Sequence, residues 1–237
     1  MRKSPANCIV AGGTWLKMGT RRIGTAIDLS RLGLDKIEEE GGEIKIGAMT
    51  SLRKIETSPL LRQTFGGVLS ECVRSIVGVQ FRNLATIGAG VYSAYGFSDP
   101  LCALLALDAD IELELRGRVS LRAYLALPQT RGNRDVLKYI YIKNDGTRAA
   151  WQSFRQTATD FSVLNLCLAR SGENVRLAIG ARPNKAMRCP ETEAYIMQGD
   201  IEMALKSLDS IPMGGNLRGS AGYRHILAQV LLEEALK

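Results

Sequence analysis

The patterning of the chain changes at Asn144-Asp145-Gly146, and this change limits the fold more than any other feature. Ahead of it, short strand-like runs alternate with helical stretches. Cys8–Ala11 ends in Gly12-Gly13-Thr14, and TAIDL (25–29) and EIKIG (43–47) follow, the latter after a Gly41-Gly42 turn. A helical region opens at Thr50, where Val68, Leu69, Cys72, Val73 and Ile76 recur on one helical face. A glycine-rich loop is expected from Gly78 to Ser98. A helix starting at Asp99-Pro100 comes next, with Asp99 as its cap, and then strands at Asp110–Leu115 and Val136–Ile142. Beyond the change come three consecutive strand patterns, Trp151–Arg155, Phe161–Ala169 and Asn174–Gly180. Two helical patterns close the chain, Glu191–Leu208 with a break at Gly199-Asp200 and Tyr223–Leu236. The fold class is α+β: an α/β first part, then an antiparallel sheet with helices.

Several functions are excluded by what the chain lacks. The five cysteines (8, 72, 102, 167, 189) are odd in number and never at CxxC spacing, so neither a disulfide framework nor a cysteine-held cluster is expected. His225 is the sole histidine, which rules out a multi-histidine metal site. It sits in a helical pattern and reads as a surface or interface residue. The longest apolar runs fall far short of the roughly 20 residues a membrane helix needs. MRKSPANCIVAGG turns to glycine too soon for a secretory leader, so the expected location is the cytoplasm, without membrane association. A net charge of +7 is spread among acidic residues, densest at Arg21-Arg22, with no nucleic-acid motif beside it. Such a surplus suits an anionic cofactor or an acidic partner.

Two segments carry candidate chemistry: Val10-Ala11-Gly12-Gly13-Thr14 and Ala85-Thr86-Ile87-Gly88-Ala89-Gly90. Closely spaced glycines let backbone N–H groups converge on anionic oxygens, and each segment adds a threonine hydroxyl. Neither matches GxGxxG or GxxxxGK[ST]. Taken alone, each reads equally well as an ordinary tight turn.

In order along the chain, CIVAGGTWL, IDLSRLGLDKI, IKIGAMTSLRKIE, VGVQFRNLATIGAGVYSAYGFSD, PLCALLALDADIEL and NLRGSAGYRHILAQVLLEEAL together resemble the FAD-binding subunit of the molybdenum hydroxylases, the xanthine dehydrogenase and carbon monoxide dehydrogenase family. The resemblance covers nearly the whole chain. It implies a PCMH-type FAD-binding domain, like that of the vanillyl-alcohol oxidase and MurB-type enzymes, at 1–144, with two α/β subdomains and an N-terminal segment shorter than in relatives. A C-terminal domain at 145–237 would hold a three-stranded antiparallel sheet and helices.

It also implies site residues. Val10, Ala11, Gly12, Gly13, Thr14, Trp15 and Leu16 form the first pyrophosphate loop, and Thr86, Ile87, Gly88, Ala89 and Gly90 the second. Ser98-Asp99 close the site, Ile76 stands where some relatives place an aromatic over the flavin, Leu137 packs near the ring and Arg155 approaches the cofactor. The second segment departs from the family, with TIGAG where TIGGN is usual, and Asn216 opens NLR where relatives have DLR.

The implied activity is that of an oxidoreductase subunit carrying FAD. It takes electrons from the [2Fe–2S] clusters of a small partner, which serves a molybdopterin-bearing large subunit, and passes them to NAD+ or another acceptor. The alternatives are a stand-alone MurB-like flavoenzyme and a structural subunit that has lost FAD. The loop Tyr92–Phe97 is expected either to dock a partner or to cover the cofactor.

Overall fold

The computed structural model describes residues 4, 6–20, 22–128 and 134–237. Its strands fall into three sheets. In the first, β1 (Asn7–Val10) and β2 (Thr25–Asp28) lie parallel, with Cys8 opposite Ala26. The second is antiparallel and uses β3 (Ile37–Glu40), β4 (Glu43–Gly47), β5 (Asp110–Leu113), β6 (Gly117–Ser120) and β7 (Leu137–Lys143) in the order β3-β4-β7-β5-β6. Gly41 and Gly42, both at positive φ, make the two-residue turn that joins β3 to β4. Alternation decides which way this sheet faces. Ile44, Ile46, Ile111 and Ile140 are fully buried, while Glu43, Glu112, Arg118 and Lys138 pair on the other side.

The third sheet runs β8 (Arg148–Phe154), β9 (Leu164–Ser171), β10 (Asn174–Gly180) and β11 (Met187–Arg188), antiparallel in the order β11-β10-β9-β8. Three long strands match the expectation, and the two-residue β11 adds a fourth.

Among the described residues, seven α-helices belong to the first part: α1 (Leu52–Thr57), α2 (Pro59–Gln63), α3 (Val68–Arg74), α4 (Val79–Leu84), α5 (Ile87–Tyr92), α6 (Asp99–Ala106) and α7 (Leu121–Ala126). Three follow the third sheet: α8 (Pro190–Met197), α9 (Ile201–Ser207) and α10 (Ala221–Leu236). Gly199 at φ +76 and Asp200, whose carboxylate accepts from the Met203 amide at 3.0 Å, separate α8 from α9 as expected.

β9 shows how two cores are kept apart. Its Leu164, Leu166 and Leu168 face α10 and join one apolar cluster. Cys167 and Ala169, on the opposite face, join the other. Small side chains on that face let α6 lie close against β9 and β10. Every residue of α6 is therefore buried, which explains why it is apolar all round apart from Asp99.

Four sequence expectations are corrected. The segment from Gly78 to Ser98 is not a loop but holds α4 and α5. The helical face at Val68–Ile76 ends one residue before Ser75, and Ile76 lies outside α3. The cap position of α6 is Ser98, while Asp99 is the first helical residue and turns inward. On α10, the apolar pattern of the sequence reads as one core stripe of Tyr223, Ile226, Leu227, Val230 and Leu231; Leu227 and Leu231 are core, but Tyr223, Ile226 and Val230 are exposed.

Candidate functional site

A cavity of about 660 Å³ opens between the first sheet, the α4–α6 segment and the end of β8. A pocket of this size suits a dinucleotide-scale ligand. Ala11, Gly12, Gly13, Thr14, Trp15 and Leu16 line it from the turn after β1. Ile76, Thr86, Gly88, Ala89 and Gly90 line it from the helical side, with Ser98, Asp99, Leu137 and Arg155 completing the wall. Val10 and Ile87 lie outside the lining. Val10 pairs with Asp28 in the β1–β2 ladder, and Ile87 is fully buried in the core. They anchor the two segments from behind. Of the Arg21-Arg22 cluster, Arg22 is exposed and Arg21 lies outside the described residues. His225 is on α10, its Nδ1 3.1 Å from the Leu208 carbonyl and outside the lining.

The two glycine segments are built differently. After β1, Gly13 takes φ +70 with open space where a Cβ would stand, and its carbonyl accepts from the Lys17 amide at 2.9 Å. Gly12 passes directly against the C-terminal end of α4. The second segment is not a left-handed nest but the start of α5, with Thr86 at the cap position. There the Ile87 and Gly88 amides donate to the Thr50 and Ala48 carbonyls at 2.9 and 3.0 Å. A Cβ on Gly88 would stand 2.5 Å from the Ala48 oxygen, so glycine is needed here for close approach rather than for its φ. Position 89 is ordinary helix, which accounts for an alanine in TIGAG.

The polar content of the cavity is incomplete. Among the described residues, four buried side-chain polar atoms have no hydrogen-bond partner: Thr86 Oγ1, Ser98 Oγ, Arg155 Nε and Asn165 Oδ1. The first three belong to residues of the cavity wall. Buried polar groups are nearly always paired, so three such orphans around one cavity point to a polar ligand.

Asp99 is fully committed to the protein. Its carboxylate accepts from Arg155 Nη2 at 2.5 Å, Ser162 Oγ at 2.8 Å and Asn165 Nδ2 at 2.6 Å. It thereby ties α6 to the third sheet. Arg155 also donates through Nη1 to the Asp160 carbonyl at 2.8 Å. Arg218 pairs with the Asp160 carboxylate at 2.7 Å, and its hydrogen bonds hold that carboxyl below the usual range.

Aromatic rings cover one end of the cavity. Trp15 lies 5.7 Å from Tyr95, 5.2 Å from Phe97 and 6.0 Å from Phe161, and Phe97 and Phe161 are 4.4 Å apart. From the expected Tyr92–Phe97 loop, Tyr95 and Phe97 line the cavity beside Trp15 and Phe161, and Tyr95 is also partly open to solvent. The sequence did not mark Asp160 and Phe161 as site residues. They reach the cavity only because β8 ends beside α6, and no local pattern signals that.

The family described as "FAD binding domain in molybdopterin dehydrogenase" matches residues 1–142. The YgfM protein of Escherichia coli (strain K12) is 28% identical over 232 residues, covering 94% of this chain and 84% of that protein. The nicotine 6-hydroxylase medium subunit of Paenarthrobacter nicotinovorans is 25% identical over 252 residues, covering 96% and 88%. A chain of the solved carbon monoxide dehydrogenase from Hydrogenophaga pseudoflava has the same fold, with TM-score 0.85 and 23% identity over 98% of this chain and 89% of that one. The chain belongs to the FAD-binding domains of molybdopterin dehydrogenases, the flavin-carrying oxidoreductase subunits of the molybdenum hydroxylase family that its motifs resemble.

Proposed function

We propose that this chain is the electron outlet of a molybdenum hydroxylase. It would hold FAD non-covalently between its two glycine segments. Electrons would arrive from the [2Fe–2S] clusters of a small partner subunit, which serves a molybdopterin-bearing large subunit, and leave to NAD+ or another acceptor. The observation that carries this reading is the set of orphaned polar atoms, Thr86 Oγ1, Ser98 Oγ and Arg155 Nε, around a cavity walled by both glycine segments.

When bound, FAD supplies the redox chemistry at its isoalloxazine. The chain binds, orients and shields it. Gly13, open where a Cβ would stand, keeps the first segment free of a side chain along the pyrophosphate, while Gly12 and Gly88 let the two segments seat against the Leu84 and Ala48 backbone. The Thr86 and Ser98 hydroxyls and the Arg155 Nε–H offer hydrogen bonds that the protein leaves unused. Ile76 and Leu137 provide apolar wall, while Trp15, Tyr95, Phe97 and Phe161 exclude water from one end. Ala11, Thr14, Leu16, Ala89 and Gly90 complete the proposed binding set, and Asp99 acts through Arg155, whose guanidinium it holds in place.

We place the division between the flavin part and the C-terminal part at 144/145, supported by the gap between β7 and β8. A cytoplasmic location is supported by five free, buried cysteines. Among the described residues, no helix is long and apolar enough to cross a membrane.

The test is the visible spectrum of the purified chain. Flavin bands near ~370 and ~450 nm with close to one FAD per chain are expected. Reduction by partner clusters should follow when the neighbouring subunits are co-expressed. A chain that takes up no flavin overturns the reading.

A further inference from the structure

One wall of the cavity is strained. Val77 takes φ +49, a left-handed conformation that a β-branched residue rarely adopts, and it is still 42% exposed, so core packing does not force it there. Both Ile76 and Val77 line the cavity. Their carbonyls share one donor, Arg82 Nη1, at 3.0 and 3.2 Å. Arg82 is only 6% exposed, and its remaining nitrogens grip Glu56, Nε to Oε2 at 2.8 Å and Nη2 to Oε1 at 3.3 Å. Arg53 holds the same carboxylate from the other side at 3.0 Å. The helix that carries Arg82, α4, also ends in the Leu84 carbonyl against which Gly12 packs. The strained turn and the first glycine segment are thus mounted on one short helix.

We propose that Arg82 is a positioning residue for the cofactor: with Glu56 as its buried counter-ion, it clamps the Ile76–Val77 turn in its strained form and so sets the shape of the wall against which the flavin nucleotide lies. The inference rests on the FAD reading above. Arginine is required because only a planar fork reaches two carbonyls and a carboxylate at once. Without the fork, Val77 relaxes to negative φ and the wall moves.

The experiment uses the full chain, titrated with FAD and followed by flavin fluorescence and by visible circular dichroism of the bound flavin. Arg82→Met should weaken FAD about tenfold and change the visible dichroism. Val77→Gly, which accepts positive φ freely, should melt no lower than the unmodified chain. In its background Arg82→Met should cost less than about threefold, because there is no strain left to hold. Arg82→Lys keeps the charge and the stem and serves if Arg82→Met fails to fold; it should weaken FAD by about threefold.

Unchanged affinity and dichroism in the Arg82 variants, with FAD still binding the unmodified chain, overturn this proposal alone. The same loss in both Val77 backgrounds also overturns it, since Arg82 would then act by some other route. An unmodified chain that binds no FAD overturns the cofactor reading and this proposal with it.

Discussion

Gly12 lies against the carbonyl of Leu84, where a Cβ on residue 12 would stand 1.7 Å from the oxygen. Backbone, not a flexible side chain, occupies that space, so Gly12→Ala must push the turn after β1 away from α4. The expected cost is about 1–3 kcal/mol of stability, with loss of FAD. Gly13 differs, having φ +70 and open space where a Cβ would stand. Gly13→Asp should fold but place a like charge beside the pyrophosphate. At ~4 Å and an effective dielectric of about 20 the repulsion is about 4 kcal/mol, roughly a thousandfold in affinity. Isothermal titration with FAD separates the two variants; a Gly13→Asp chain that keeps stoichiometric FAD removes the first loop from the site.

Asp99 and Arg155 form a buried pair, the side chains 3% and 9% exposed. Asp99→Asn leaves the guanidinium buried without its counter-ion. A loss of about 3 kcal/mol is expected, lowering Tm by roughly 6–12 °C for a chain of this size. Adding Arg155→Met to Asp99→Asn should cost less than the sum of the single changes. Additive melting shifts would show that the pair is not coupled.

The aromatic cover gives a different signature. Replacing Tyr95 and Phe97 by Ser removes two rings from the Trp15–Phe161 cluster. Weaker FAD binding by about tenfold is expected, with brighter flavin fluorescence as water enters. Pull-down of co-expressed partner subunits should be unaffected. Intact FAD with lost partners would reverse the assignment and make this loop a docking surface.

Acid should destabilise the chain through specific carboxylates. Burial pushes Glu56 up, but hydrogen bonds from Arg82 and Arg53 outweigh it and hold the group below the 4.5 of a free glutamate. The Arg218 hydrogen bonds likewise hold Asp160 below 3.8. A lowered folded value means that the unfolded chain binds more protons in that interval. The stabilisation is therefore complete above the ordinary value and lost as pH falls through the folded one. Urea midpoints should be flat above about pH 5 and fall below about 4.5, with a shallower fall in Glu56→Gln. A midpoint independent of pH in this interval would contradict the ion-pair assignment.

Much of the fold was legible because local rules and tertiary packing agree. Ile44 and Ile46 alternate with charged residues in β4, and the Gly41-Gly42 turn fixes the hairpin. The change at 144–146 coincides with the step from β7 to β8. Where the sequence misled, a non-local contact had taken over. The glycines of 88–90 read as a loop, yet they lie in a helix, because Gly88 must clear the Ala48 backbone. Asp99 read as a cap, yet its carboxylate is bound by residues 56 to 66 positions further along the chain.

By itself the sequence determined the α+β class, the position of the two glycine segments and, through the order of its motifs, the family. These are recorded in periodicity, in turn residues and in collinear spacing, all readable along a single strand of text. Only the tertiary structure decided that Val10 and Ile87 stand behind the cavity rather than in its wall, that Phe161 joins Trp15, and that Arg82 holds Val77. Each of those depends on which backbone carbonyl, ring or carboxylate comes within a few ångströms from a distant part of the chain, and no local pattern encodes that neighbour.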